Sequence, residues 1–597
     1  MPFLKIVYCI IIFFSTFHTL IGQVLYFKDH NGIRLYPQSH QLYPRNEKNQ
    51  AMVILKGTVT NYSIDQVELI VRKRFLDGSF KDSIYSQNTT DTFHFAPIIE
   101  AGMYLYSFQL RLKRSQIVFR QEQLAQNVVC GDAYIISGQS NGMGIMVGLP
   151  QAGIEQDSLY QTYPRDSSHI FSKSLGNMPE YYGINGHLTN YNPNNNHWQP
   201  AKASGSLTGF VGLWGLKLQY LLQEKYQMPT CFINGSYGGS YISQHQLYYS
   251  QNNDPYDLHT LFGSLNYRIQ QANLKGKIKG VIWYQGESEN SYNKAATYAD
   301  SLNFLIDHWE KYWGNFSKVY VIQIHTGCNH HGYGQIVREQ QRSIQRPSHS
   351  FSEIIPITAC GIGERSSPLY DPYSECHFSK EAYNTLAERL FQVIGRDFYS
   401  NNNCITSPNI MRAYYAYEEL ILEFDQDIAT LPDGIEQQFE FYKNNQLIPF
   451  IDISNVYSQK NKIHLTIDYQ NVDALSYLLV DDPIYNNQMI WLKNTMGYAA
   501  FSFHQFPVES LPCTESVLLV QPNIIHQQAP LSIHLKACST NNKLRIYSVQ
   551  GQLVWEQDLP SVNIKTTPDL SNLPQGVYFL QVESDGHFLP TQKIVKS

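Results

Sequence analysis

Five short apolar runs alternate with stretches of helical spacing, and this alternation constrains the middle of the 597-residue chain more than any other feature. The runs occupy residues 133–136, 230–234, 281–284, 319–324 and 354–358. Residues 213–226 carry apolar side chains at helical spacing. Residues 298–313 set Leu302, Leu305, Ile306 and Trp309 on one face, and Tyr383, Leu386, Ala387, Leu390 and Ile394 form a further stripe. Alternating β and α units of this kind predict a parallel sheet covered on both faces over about residues 126–400. Ligands of such sheets bind at the carboxyl ends of the strands. The stretch 145–207, with its polar run at 190–198, reads as a long loop outside the core and as part of a substrate surface.

The flanks follow a different period. Val67, Leu69 and Val71 alternate, as do Tyr106, Phe108, Leu110 and Leu112, with turn-like stretches at Asp77-Gly78-Ser79 and Gln87-Asn88-Thr89-Thr90. Residues 23–125 therefore read as a β-sandwich. Alternation returns at Leu420, Leu422, Phe424 and at Ile463, Leu465, Ile467, Tyr469, giving a second β domain over 408–510. A third spans 515–597, with strands around 544–547, 552–555 and 577–582. At the N-terminus, Lys5 precedes an apolar stretch over 6–14, and Gly22 offers a small residue before Gln23, so residues 1–22 read as a signal peptide. That stretch is too short to span a bilayer, and no later segment approaches the roughly 20 apolar residues a membrane span needs.

Charge narrows the function. Lys and Arg number 44 against 50 Asp and Glu, and no basic stripe stands out, which argues against nucleic-acid binding. Of nine cysteines, Cys9 leaves with the signal; the rest are scattered singly without Cys-x-x-Cys spacing, which argues against a zinc site. An oxidising compartment permits disulfides, for example Cys513 with Cys538, although sequence assigns no pairs.

Four blocks carry chemistry. Gly138-Gln139-Ser140-Asn141 follows the first apolar run, so a tight turn presents a serine hydroxyl at the sheet edge. Serine is a poor nucleophile unless a base takes its proton and donors hold the oxyanion that forms. Gly238-Gly239-Ser240 follows the second run, where adjacent glycines let backbone N–H groups approach a ligand. Gln285-Gly286-Glu287-Ser288 ends the third: Gln285 offers a side-chain N–H to an oxyanion, and Glu287 offers to orient its neighbours. His377 precedes Ser379, an N-cap for the last helix, and reaches a serine on the first strand from the sheet's carboxyl edge. His325, just past the fourth run, and His245, past the glycine turn, are candidate sugar contacts.

Taken together, these blocks resemble the SGNH/GDSL hydrolase superfamily, and within it the sialate O-acetylesterase-like and plant-type carbohydrate acetylesterase branch. The resemblance covers residues 126–400 and implies a flavodoxin-like doubly wound parallel sheet flanked by β-sandwich domains. It implies Ser140 as nucleophile, His377 as general base, and an oxyanion hole from the N–H groups of Ser140 and of Gly238 or Gly239 with the Gln285 side chain. The family's carboxylate usually lies three residues before the histidine; Ser374 stands there instead. Glu375 and Asp371 are the candidates for orienting the imidazole, or a backbone carbonyl does so in a Ser–His dyad. No metal or cofactor is implied. The C-terminal run Leu544 to Gly551, then Leu573-Pro574-Gln575-Gly576-Val577-Tyr578-Phe579, then Lys593-Ile594-Val595-Lys596, resembles the sorting domain of type IX secretion substrates. This implies export by that machinery from a Gram-negative cell, to the surface or beyond. The expected substrate is an acetylated carbohydrate, on sialic acid or a plant-type polysaccharide. A lipid or aryl esterase on the same scaffold is one competing expectation. The other, which the missing carboxylate at position 374 motivates, is a non-catalytic glycan-binding surface protein.

Overall fold

The computed structural model describes residues 23–29, 32–60, 63–89, 91–144, 170–176, 188, 193–203, 208–249, 253–326, 332–348, 350–362, 376–416, 419–449, 451–467, 472–478, 490–509, 517–521, 524–525, 531–536, 542–559, 563–584 and 587–597. The chain divides into two compact units. One runs to Asn409 and takes in Gln426–Glu440 and Ser476–His504; the other comprises Ile410–Asp425, Phe441–Leu475 and Gln505–Ser597. Residues 408–510, expected as one β domain, are therefore shared between the units. One cause is local: Gln323 donates to the Ser502 carbonyl (2.9 Å) and the Arg338 Nε to the Ser502 hydroxyl (3.1 Å), which ties that segment to the first unit.

The long strand β1 (Ile117–Gly138) organises the first unit. Its N-terminal half pairs antiparallel with Leu105–Arg114, from Ile117 opposite Arg114 to Val128 opposite Tyr106. Its C-terminal half enters a parallel sheet between β3 (Thr230–Asn234) and β4 (Gly280–Tyr284). The sequence explains the change. The first half alternates and exposes one face, whereas Val128 to Gly138 is buried throughout, as a strand covered on both faces requires. At the junction Asp132 is fully buried, paired with Arg45 through two bonds of 2.8 Å and accepting from the Tyr399 hydroxyl at 2.7 Å.

With β2 (Ser172–Leu175), β5 (Lys318–Gln323) and β6 (Glu353–Thr358), the parallel sheet has the order β2-β3-β1-β4-β5-β6, and Trp198–Pro200 adds an antiparallel edge. From β1 the chain passes through β2 and β3 on one side and returns to β4 on the other, so the crevice beyond Gly138, Asn234 and Tyr284 lies where the strand order reverses. Helices α1 (Ser140–Met143), α2 (Leu213–Tyr226), α3 (Leu261–Gln271), α4 (Tyr298–Trp313), α5 (Gly334–Ser343) and α6 (Lys380–Tyr399) connect or follow the strands. The expected stripe on α4 is buried, from Leu302 to Trp313. Tyr226 of α2 stacks on Tyr399 of α6 with ring centroids 4.4 Å apart. The Ser379 hydroxyl caps α6 by accepting from the Ala382 N–H (3.3 Å), as its position predicts.

Part of the stretch read as an external loop is core. β2 and Trp198 are buried, and Phe171, Leu175 and Trp198 join the main apolar cluster. The polar letters of β2 misled because two of the three are satisfied by partners distant in sequence: Gln223 donates to the Ser172 hydroxyl and the Lys173 ammonium to the Asn127 carbonyl (3.0 Å).

The N-terminal region pairs Gln66–Arg74 with Phe80–Asn88 and Leu105–Arg114, and a separate three-stranded sheet holds Gln23–Tyr26, Leu55–Thr60 and Thr92–Phe95. The two share a core of Val59, Val67, Leu69, Phe93 and Phe108. In the second unit Ile410–Ala416, Glu419–Phe424, Lys462–Ile467 and Ile453–Gln459 form an antiparallel sheet. The C-terminal region sets the sheet Val517–Gln521, Ser532–Lys536 and Asn563–Thr566 and a larger one built on Asn542–Ser548 and Gly576–Ser584 around Ile533, Leu544, Ile546 and Leu580.

Candidate active site

Three loops meet beyond the carboxyl ends of β1, β3 and β4. β1 ends at Gly138, whose carbonyl accepts from the Tyr237 N–H (2.9 Å) of the loop after β3. Gln139 binds the loop after β4: its N–H donates to the Tyr284 carbonyl (2.9 Å), and its side-chain oxygen accepts from the N–H groups of Gly286 and Ser288 (3.2 Å each). Ser140 is then the first residue of α1, a single turn closed by Gly144 in the left-handed conformation. N–H groups in the first turn of a helix have no acceptor within the helix. Ser140 is partly exposed while its neighbours Gln139 and Asn141 are buried, so the turn offers the hydroxyl and hides what holds it.

Gly238 faces this serine. A Cβ placed on Gly238 would lie 3.9 Å from the Ser140 Cβ and 3.7 Å from the Met143 sulfur. Gly239 has φ +70°, and the Ser240 hydroxyl closes the turn by donating to the Tyr237 carbonyl (2.7 Å). Asn234 fixes the turn to α1: its amide donates to the carbonyls of Gly142 and Val211 (3.2 Å each), and its oxygen accepts from the Ser236 N–H (2.9 Å). Arg268, which is buried, donates to the Asn234 carbonyl (2.7 Å) and to that of Leu175 (2.8 Å).

His377 is half-buried two residues before the α6 cap, and burial holds its imidazole below the usual value, hence neutral at neutral pH, as a base needs. The preceding residue, Cys376, is disulfide-bonded, whereas Cys130, Cys231, Cys360 and Cys404 are free. Asn141, beside the serine, donates to the Cys376 carbonyl (2.9 Å) and to Glu287 Oε1 (2.7 Å). Burial raises the Glu287 carboxyl to about 7, and its second oxygen is buried without a hydrogen bond. Glu287 thus accepts from Asn141 and orients it, the use its position suggested.

Three assignments change. Gln285 is fully buried and both hydrogens of its amide are engaged, one by the Ser240 carbonyl (3.2 Å) and one by Glu289 Oε1 (2.8 Å), so it holds the glycine turn from beneath and has no donor left for an oxyanion. His245 is no sugar contact: it is buried, its Nε2 pairs with the Ser240 hydroxyl (2.8 Å), its ring stands edge-on to Trp283, and burial lowers it to about 3. His325 is likewise buried, 4.8 Å from the Phe378 ring and hydrogen-bonded to the Cys376 backbone, and burial lowers it to about 4. Both histidines support the site from behind. Glu375, Asp371, Cys513 and Cys538 lie outside the described residues. Among the described residues no cluster of three His, Cys, Asp or Glu side chains is placed to hold a metal ion. The sequence reading gave Asn141 and Asn234 no role; the signal was an amide residue directly after the serine and another at a strand end, where a buried amide must find partners.

Comparison with known proteins agrees with this geometry. Residues 130–395 match the family model described as carbohydrate esterase, sialic acid-specific acetylesterase, and residues 527–597 match that of the secretion system C-terminal sorting domain. A carbohydrate acetylesterase from Xanthomonas citri superposes with a TM-score of 0.53 at 16% identity, covering 81% of this chain and 99% of that one. An Arabidopsis thaliana protein gives a TM-score of 0.31 at 19% identity, covering 45% of this chain and 99% of that one. A Bacteroides uniformis β-glucuronidase gives 0.26 at 10% identity, covering 96% and 62%. A search of curated proteins returned no match. The sorting domain assigns the chain to type IX secretion, to the cell surface or outside. Residues 130–395 belong to the sialic acid-specific acetylesterase family of carbohydrate esterases, and the chain is a secreted esterase.

Proposed function

We propose that this esterase removes O-acetyl groups from carbohydrate, on sialic acid or a plant-type polysaccharide, by a Ser–His mechanism. The observation that carries the reading is the bond from Asn141 to the Cys376 carbonyl, which joins the chain neighbours of Ser140 and His377. Ser140 Oγ attacks the acetyl carbonyl carbon while His377 takes its proton. The N–H groups of Ser140 and of Gly238 or Gly239 hold the oxyanion. Collapse breaks the bond to the sugar oxygen, which leaves with the proton from His377. Water then gives a proton to His377 and attacks the acyl carbon, releasing acetate and restoring Ser140. Glu375 or Asp371 orients the imidazole, or a backbone carbonyl does so.

The strand order β3-β1-β4-β5-β6 supports a flavodoxin-like doubly wound core for residues 126–400. The shared cores of the paired sheets support sandwiches over 23–125 and 515–597. A signal peptide over residues 1–22 fits the sorting domain at the other end.

The test is acetate release from O-acetylated sialic acid and from acetylated xylan and pectin by the full chain and by Ser140→Ala, with a chain-length series of nitrophenyl esters alongside. Release by the wild type and its loss in the variant are expected. Preference for acyl chains well beyond acetate would make the protein a lipid esterase instead, and glycan binding without hydrolysis would make it a binding protein.

A further inference from the structure

We propose that Asn141 is a positioning residue that sets the distance between the Ser140 hydroxyl and the His377 imidazole. This deepens, and rests on, the Ser–His reading above. Asn141 is fully buried, and its amide is saturated. Its two N–H groups go to Glu287 Oε1 (2.7 Å) and the Cys376 carbonyl (2.9 Å), and its side-chain oxygen accepts from the Tyr383 hydroxyl (2.9 Å). Its main-chain carbonyl accepts from the Trp214 Nε1–H (2.9 Å). One residue therefore ties α1 to the loop after β4, to the His377 segment, to α6 and to α2.

The far end of this link is equally fixed. Cys376 is held by a disulfide, and its backbone also hydrogen-bonds His325. A bond from Asn141 to that carbonyl passes any displacement of α1 directly to the residue before His377. Asparagine alone meets these demands. Aspartate has no donor and would set a carboxylate against both Glu287 and a carbonyl; serine is too short to reach three partners; glutamine brings an extra methylene into a sealed site. A misplacement of about 1 Å between reacting groups costs on the order of 100-fold in rate, which is the effect expected when the link is cut.

The experiment compares wild type, Ser140→Ala, Asn141→Ala, Asn141→Asp and Tyr383→Phe as full chains. Each is measured for kcat and KM on 4-nitrophenyl acetate across pH, for the rate of Ser140 labelling by a fluorophosphonate, and for thermal unfolding. For Asn141→Ala we expect kcat and labelling to fall together by ~100-fold, with KM within about 2-fold and the chain still folded. For Asn141→Asp we expect the acid limb of kcat/KM to move to higher pH, because the introduced carboxylate stabilises a protonated His377. Tyr383→Phe, which keeps both N–H bonds, should lose far less. If the alanine variant does not fold, the aspartate variant's acid limb and labelling rate decide. An unmoved limb and wild-type labelling overturn the proposal, as does an alanine variant with wild-type kcat. A wild type without hydrolysis, or a Ser140→Ala variant as active as wild type, overturns the Ser–His reading and this one with it. Active wild type, inactive Ser140→Ala and unchanged Asn141 variants overturn this one alone.

Discussion

Gly138 backs directly onto the carbonyl of Tyr284: a Cβ on Gly138 would stand 1.9 Å from that oxygen, and the residue has φ +142°. Only glycine tolerates both the contact and the dihedral. Because the obstacle is backbone of the adjacent strand, a side chain here forces β1 and β4 apart at the site where Ser140 begins. Gly138→Ala is expected to destabilise the chain by ~3 kcal/mol or more and to abolish hydrolysis. Denaturant unfolding with activity at low temperature checks it; a variant with wild-type midpoint and rate would show that the strands part without cost.

The pH profile follows from His377. Burial holds its imidazole below the usual 6.5. The neutral ring is the competent base, so activity is retained above the depressed value and lost as pH falls through it. The acid limb of kcat/KM should therefore have its midpoint below 6.5, and His377→Gln should lower kcat at least ~10³-fold at pH values above that midpoint. A midpoint above 6.5 would show that a carboxylate outweighs burial.

Much of this was legible because period and burial coincide. Residues 213–226 and 298–313 read as helices and are helices with the expected bounds, since each must lay an apolar stripe on the sheet. Ser140 and the Gly238-Gly239 turn were legible as a pair, and Gly238 does face the serine. β2 was not legible, because Ser172 and Lys173 find their buried partners at positions distant in sequence. Gln285, His245 and His325 failed for the same reason. Which carbonyl or hydroxyl meets a polar tip is decided by tertiary packing, and an exposed and a saturated side chain look alike in sequence.

Glu287 makes a stability prediction. Its folded value is raised to about 7 from the usual 4.5. The unfolded carboxyl ionises as pH rises through 4.5 while the folded one stays protonated to about 7, so this group costs stability progressively over that window. Glu287→Gln keeps the oxygen that accepts from Asn141 and removes the titration. Its unfolding free energy relative to wild type should be flat below pH 4.5 and rise towards neutrality, by at most ~3 kcal/mol. A gain independent of pH would exclude titration as its source.

His245 acts in the opposite direction. It is lowered to about 3 by burial, so the unfolded chain takes up a proton below 6.5 that the folded chain refuses. Stability is full above 6.5 and falls as pH drops towards 3, at up to ~1.4 kcal/mol per unit. His245→Gln, which can still meet the Ser240 hydroxyl, should flatten the acid side of the stability curve; an unchanged slope would assign acid sensitivity to other groups.

Gln285 separates two kinds of contribution. Loss of a direct oxyanion donor costs about 10²–10³ in kcat. With its amide bound to the Ser240 carbonyl and Glu289, Gln285 holds the turn and does not touch the oxyanion. Gln285→Leu should therefore lower kcat only ~10-fold while clearly lowering the unfolding midpoint, because Glu289 and a main-chain carbonyl lose buried partners. A 10³-fold loss of kcat at unchanged stability would restore the donor role.

At the other end of the chain, the Lys596 ammonium is caged by the carbonyls of Leu570 (2.8 Å), Ser571 (2.9 Å) and Leu573 (2.6 Å). It clips the last strand, Gln592–Lys596, onto the turn that precedes Gly576–Ser584. Both segments fall within the sorting domain. Hydrogen bonds to a charged group contribute about 1.5–3 kcal/mol when enclosed and less where solvent reaches them, as it does at Ser571. Lys596→Met keeps the stem and removes all three bonds. In a host with type IX secretion, the variant should accumulate inside the outer membrane while its esterase activity per folded molecule stays at the wild-type value, because residues 130–395 are untouched. Export at the wild-type level would mean that the machinery reads the tail without needing this clip.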